Sequence, residues 1–104
     1  ISASASFSAQ TVRVTGLSGY NLIMIEYLPY NSSSTVRRDS KTVTYASGRE
    51  VMLSYPSYYN GAMWGAFRMA TLGSDSITFG SGYQDSGTSS DAYCVPTKVI
   101  GITM

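Results

Sequence analysis

Apolar residues along the 104-residue chain recur at every second position or in short unbroken runs, and turn-forming residues separate them. Phe7-Ser8-Ala9-Gln10 and Val12-Arg13-Val14-Thr15 each alternate, with a slip between them, which predicts a bulged strand or two short strands. Gly16-Leu17-Ser18-Gly19 then turns the chain. Tyr20 to Tyr27 is apolar at all four central positions, Leu22 to Ile25, as in a strand covered on both faces and central in its sheet. Pro29 should end it, because proline has no N–H for the ladder, leaving Tyr30-Asn31-Ser32-Ser33-Ser34 as an exposed polar loop. Thr35 to Tyr45 carries Arg37, Arg38, Asp39 and Lys41 at its middle and reads as a charged edge hairpin, or as two strands around a loop.

The second half continues in the same style. Ser47-Gly48 leads into a strand at Glu50–Tyr55 that Pro56 closes, followed by a loop holding Tyr58, Tyr59 and an Asn60-Gly61 turn. Trp64 to Leu72 reads as a long strand with Gly65, Phe67 and Met69 on one face and Trp64, Ala66, Arg68 and Ala70 on the other. After the Gly73-Ser74-Asp75 turn comes a short strand, Ser76–Phe79, and then a glycine- and serine-rich loop over Gly80–Ser90 that contains Tyr83. The last strand spans Tyr93 to Ile102, and Pro96 near its start places that end at a sheet edge or bulge. No window keeps a helical i, i+3, i+4, i+7 stripe. Seven to eight short strands predict an all-β fold, an antiparallel two-sheet sandwich of jelly-roll-like kind. Residues 1–6, all small except Ile1, read as a lead-in from upstream sequence, and 7–104 as one sandwich domain.

Composition sharpens this picture. Eighteen Ser, ten Thr, ten Gly and nine Tyr favour strands and turns over helices. Only 12% of residues are charged and the net charge is +1, so there is no electrostatic footprint for a phosphate backbone, and nucleic acid is not an expected partner. The same low charge leaves little repulsion between copies, which favours a domain held in a larger assembly. No apolar run approaches the roughly 20 residues that span a bilayer, so membrane insertion is not expected. The first residue is not Met, as in a C-terminal piece or a processed product.

Candidate chemistry is sparse. With no histidine and the single Cys94, a zinc centre has no ligand set, and no intrachain disulfide forms. Cys94, between Tyr93 and Val95, reads as a small buried apolar residue with no basic neighbour in sequence to activate it. Asp75, Asp85 and Asp91 fall on two loops, a spacing that chance explains better than a calcium site. Serine-lysine dyads built on Lys41 or Lys98 sit in no motif, and Glu26 and Glu50 are expected to face solvent or to pair with Arg13, Arg49 or Arg68. We therefore expect no enzymatic activity, no cofactor and no metal. Tyrosine offers a flat apolar ring and a hydroxyl, so Tyr30, Tyr58, Tyr59 and Tyr83 on predicted loops, with Trp64, are the ligand-binding candidates. Packing over sheet edges or in a subunit interface is the competing role for each.

The stretch Phe67-Arg-Met-Ala-Thr-Leu-Gly-Ser-Asp-Ser-Ile-Thr-Phe79, its Gly/Ser loop, and Ala92-Tyr-Cys-Val-Pro-Thr-Lys-Val-Ile-Gly-Ile102 resemble the C-terminal end of structural proteins of tailed bacteriophages and prophages. Val14-Thr-Gly-Leu-Ser-Gly-Tyr-Asn-Leu-Ile-Met-Ile-Glu-Tyr27 is similar to the opening strands of such domains, and the matches together cover roughly half of the chain. The resemblance implies a β-sandwich at the tip of a tail fibre, head fibre or baseplate appendage on the virion. It also implies a homotrimer that contacts a host-surface glycan or protein. No catalytic residue comes with it. A carbohydrate-binding module of a secreted bacterial protein is the alternative, and an inert immunoglobulin-like spacer a third possibility.

Overall fold

The structure, a computed structural model, describes residues 7–30, 38–59, 61–84 and 87–104, with backbone alone at 57–59. The lead-in 1–6, the whole polar loop after Tyr30 together with residues 35–37, Asn60, Asp85 and Ser86 lie outside the described residues. Seven strands are described: β1 (Gln10–Arg13), β2 (Leu22–Tyr30), β3 (Asp39–Thr44), β4 (Glu50–Tyr59), β5 (Ala62–Leu72), β6 (Ser76–Gln84) and β7 (Tyr93–Ile102). A single 3-10 turn, Leu17–Gly19, separates β1 from β2. The strands form two antiparallel sheets, β1-β6-β5-β4 and β3-β2-β7, which pack as a sandwich. The all-β expectation therefore holds, and β2 is central in its sheet as its apolar run predicted.

Period-two alternation builds the core. Ile23, Ile25 and Tyr27 of β2 face Val51 and Leu53 of β4, Ala70 and Leu72 of β5, and Ile77 and Phe79 of β6, all buried in one cluster. Hydrogen bonds stitch the sheets at this layer: the Tyr27 hydroxyl donates to the Ser54 carbonyl at 2.7 Å, and the Tyr45 hydroxyl to the Gly73 carbonyl at 2.9 Å. At the turn end, Asp75 Oδ1 accepts from the Gly16 N–H at 2.9 Å, where Gly16 has φ 78°, a conformation that favours glycine.

Several boundaries differ from those the sequence predicts. Phe7–Ala9 is not strand. Phe7 instead plugs the core, its N–H donating to the Asp91 carbonyl and its ring edge-on to Phe79 at 5.3 Å. Pro29 does not end β2, which runs on to Tyr30: among the described residues the β2–β3 register stops at Tyr27↔Asp39, so the described part of β3 asks no ladder bond of the proline. Pro56 likewise lies inside β4, an edge strand that has a side without a ladder partner. The Thr35–Tyr45 segment contributes one edge strand, β3, in its described part.

The largest difference is in β6, which continues through Gly80-Ser81-Gly82 to Gln84, where the sequence predicts a loop. Glycine here marks close backbone approach rather than a turn. A Cβ on Gly82 would stand 2.5 Å from the Ser90 carbonyl oxygen and 2.6 Å from that of Tyr93. The final strand has the predicted limits, lies at a sheet edge, and carries a register shift beside Pro96.

Ile25 is fully buried between the sheets, so Ile25→Ala should lower the unfolding free energy by about 2–5 kcal/mol in urea titration. A loss below about 0.5 kcal/mol, the range of ordinary surface changes, would contradict the core described here.

Candidate functional site

The molecule is elongated, 44 × 24 × 22 Å, and its strand registers give it two unlike ends. One end gathers the turns after Val14, Thr44 and Leu72, tied by the Ser18 N–H to the Ser74 carbonyl and the Gly48 N–H to the Leu72 carbonyl. At the other end, β2 finishes at Tyr30, β7 starts at Tyr93 and β6 finishes at Gln84, with the Tyr93 hydroxyl donating to Gln84 Oε1 at 3.0 Å. The β4–β5 hairpin extends past this point. β5 pairs with β6 only from Ala66 onward, while its pairing with β4 continues out to Tyr59↔Ala62.

All five aromatic candidates fall at this second end. Tyr30 is not on a loop but is the last residue of β2, 42% exposed, with its ring 5.3 Å from that of Tyr93 at an interplanar angle of 52°. Tyr83 is also on a strand: it pairs with Phe67, bridges to Ser89, and is 46% exposed. Trp64 lies on the extending hairpin opposite Ser57 and is 37% exposed. Tyr58 and Tyr59 belong to β4, their backbones opposite Met63 and Ala62. The loop assignments for Tyr30, Tyr58, Tyr59 and Tyr83 are therefore corrected to strand. The cause is shared: prolines and glycines that punctuate loops elsewhere sit here at edge and close-approach positions.

Beneath this aromatic end lies a feature that sequence reasoning missed. Arg68 of β5 points into the sandwich and is completely buried. Its Nε donates to the carbonyls of Tyr93 (3.2 Å) and Cys94 (3.0 Å), Nη1 to Gly80 (2.8 Å), and Nη2 to Asp91 (3.3 Å) and Tyr93 (2.9 Å). The guanidinium also lies over the Phe7 ring, 5.4 Å from its centroid. All of these acceptors are backbone carbonyls, so main-chain dipoles supply the hydrogen bonds to the charge; of the two alternatives for Glu50, facing solvent is the one observed. Glu26 instead approaches Arg38 at 3.9 Å, a partly exposed pair of small energetic weight. The sequence did hold one signal: Arg68 alternates in phase with Ala66 and Ala70, the buried face of its strand.

Cys94 lies against this clamp with φ 45°, the one non-glycine residue in the left-handed region among those described. It sits across the strand pair from Pro29, between the paired levels Leu28↔Val95 and Tyr30↔Tyr93, and its carbonyl accepts from Arg68. Burial pushes the thiol up to about 12, with the Arg68 charge opposing that shift and Asp39 adding to it. Burial likewise raises the Tyr27 hydroxyl to about 12, opposed by the Ser54 N–H, which donates to the Tyr27 oxygen at 3.4 Å and favours its ionised form. Arg68 itself is drawn below its ordinary range by burial, against the pull of Cys94 and Asp91. Cys94 is thus a buried neutral thiol, as its sequence neighbours predicted.

Other candidates are dispersed. Lys41 and Lys98 flank β2 from opposite sides, opposite Ile25 and Glu26. Asp75 is engaged with Gly16, and among the described residues no three acidic, cysteine or histidine side chains group as metal ligands. No family model, curated protein or solved structure matches the chain. What the described part of the aromatic end offers chemically is contact: exposed rings on a hydrogen-bonded strand framework.

Replacing Arg68 with Met should cost about 3–5 kcal/mol in chemical denaturation, because buried carbonyls lose their donors, and Arg68→Lys should recover only part of it. Stability should also fall at alkaline pH. From about pH 9 upward the unfolded chain sheds the Cys94 proton, and then that of Tyr27, while the native state keeps both to about 12. Urea midpoints should therefore decline across that window, and Cys94→Ala or Tyr27→Phe should each flatten the decline.

Proposed function

We propose that this chain is a non-enzymatic virion structural domain, the terminal sandwich of a phage fibre or similar appendage, which assembles with copies of itself and attaches to a host surface through its aromatic end. The observation that carries this reading is the convergence of Tyr30, Tyr83, Trp64 and the backbones of Tyr58 and Tyr59 at one end of an elongated molecule. Sequence separation makes that convergence non-local: the five come from β2, β4, β5 and β6. Exposed tyrosine and tryptophan supply large contact area at low cost in side-chain entropy, which suits sugars and protein surfaces alike. The C-terminal resemblance to phage structural proteins supplies the biological setting. Repetition on a trimeric appendage would raise effective concentration, so that individually weak contacts suffice for attachment.

Binding to a glycan array, and to cells of candidate hosts, tests the attachment. Tyr30→Ala and Tyr83→Ala should each weaken binding about tenfold, the loss typical of an anchoring aromatic residue. Binding unchanged by both substitutions and by the double variant Tyr58→Ala/Tyr59→Ala would exclude the aromatic end as the attachment site.

A further inference from the structure

The apolar run of β2 calls for cover on both faces, and the described residues supply full cover on only one. Ile23, Ile25 and Tyr27 are sealed in the core, whereas Leu22 and Met24 point the other way and remain partly exposed. Directly opposite them on β7 stand Ile102 and Ile100, also partly exposed. Cross-strand partners share a face, so these four side chains form one apolar patch on the outer side of the three-stranded sheet. Thr44 and Thr42 of β3, paired with Leu22 and Met24, border it on one side. Glu26, its cross-strand neighbour Lys98, and Arg38 border it at the end.

We propose that this face is where copies of the chain meet, the patches of the copies packing together around a shared axis. It deepens the assembly part of the reading above and does not depend on what the aromatic end binds. Two observations choose a second copy as the occupant. The rim carries both signs: the Lys98 side chain is exposed and in no hydrogen bond or ion pair among the described residues, where the Glu26 carboxylate makes one long contact, to Arg38. A like surface therefore brings a cation to each under-paired carboxylate, whereas a strongly acidic or basic partner would meet like charge. The chain as a whole is also close to neutral, at +1, so copies do not repel one another. The patch is distinct from the aromatic end and leaves Tyr30, Tyr83 and Trp64 outward when copies associate.

Light scattering coupled to size exclusion, over micromolar to submillimolar concentration, tests this with variants whose side chains already reach solvent. The wild-type chain should run as an oligomer. Met24→Lys and Ile100→Lys should each convert it to monomer with unchanged circular dichroism. Met52→Lys, on the outer face of the other sheet, should stay oligomeric, and Lys98→Glu should weaken association at low salt more than at high salt. Wild-type monomer throughout would overturn self-assembly altogether. An oligomer that survives Met24→Lys and Ile100→Lys but dissociates with Met52→Lys would overturn this face while leaving self-assembly standing. In either case attachment by the aromatic end is judged separately, on the array.

Discussion

A buried guanidinium, in no ion pair among the described residues and held by backbone carbonyls, organises this sandwich. Taking a charge from water into a protein interior costs several kcal/mol, and only well-aimed partners offset it. Arg68 has five donor contacts to four backbone carbonyls, charge-assisted bonds of the stronger class. Those carbonyls come from β6, from the connection ahead of β7 and from β7 itself, while Arg68 belongs to β5. One side chain therefore ties the four-stranded sheet to the edge strand of the three-stranded sheet.

Much of the irregular backbone nearby follows from that clamp. β6 must pass close beneath Ser90 and Tyr93, which leaves no room for a Cβ at Gly82. Cys94 adopts a left-handed conformation at the level of Pro29 and gives its carbonyl to the arginine. Phe7 closes the assembly from below, its backbone tied to Asp91 and its ring under the cation. The Tyr30–Tyr93 ring pair and the Tyr93–Gln84 bond stand directly on this framework. The aromatic end is thus rigid at its base for the same reason that the sheets are joined.

On the proposed reading, the apolar outer face of the three-stranded sheet and the aromatic end divide the surface between two roles. A flat patch of aliphatic and thioether side chains with a mixed-charge rim suits packing against a like surface. Tyrosine and tryptophan at the end of a long axis suit contact with something else. Placed apart, the two can act together, association multiplying the contacts that each aromatic end makes.

Alternation and turn residues in the sequence were enough to determine the all-β class, the central place of β2, the limits of β7 and the neutral, buried character of Cys94, because each depends on local pattern and burial. The candidate aromatics were also identifiable by residue type. Their gathering at one end was not, since it arises from registers between strands far apart in the chain, such as Phe67↔Tyr83 and Tyr30↔Tyr93. Pro29, Pro56 and Gly80–Gly82 read as breaks because, taken alone, such residues favour loops. Only edge positions and close backbone approach, both tertiary properties, make them fit in strands. Arg68 was placed on the right face by its periodicity, yet its burial depended on carbonyls that folding alone brings within reach of one guanidinium.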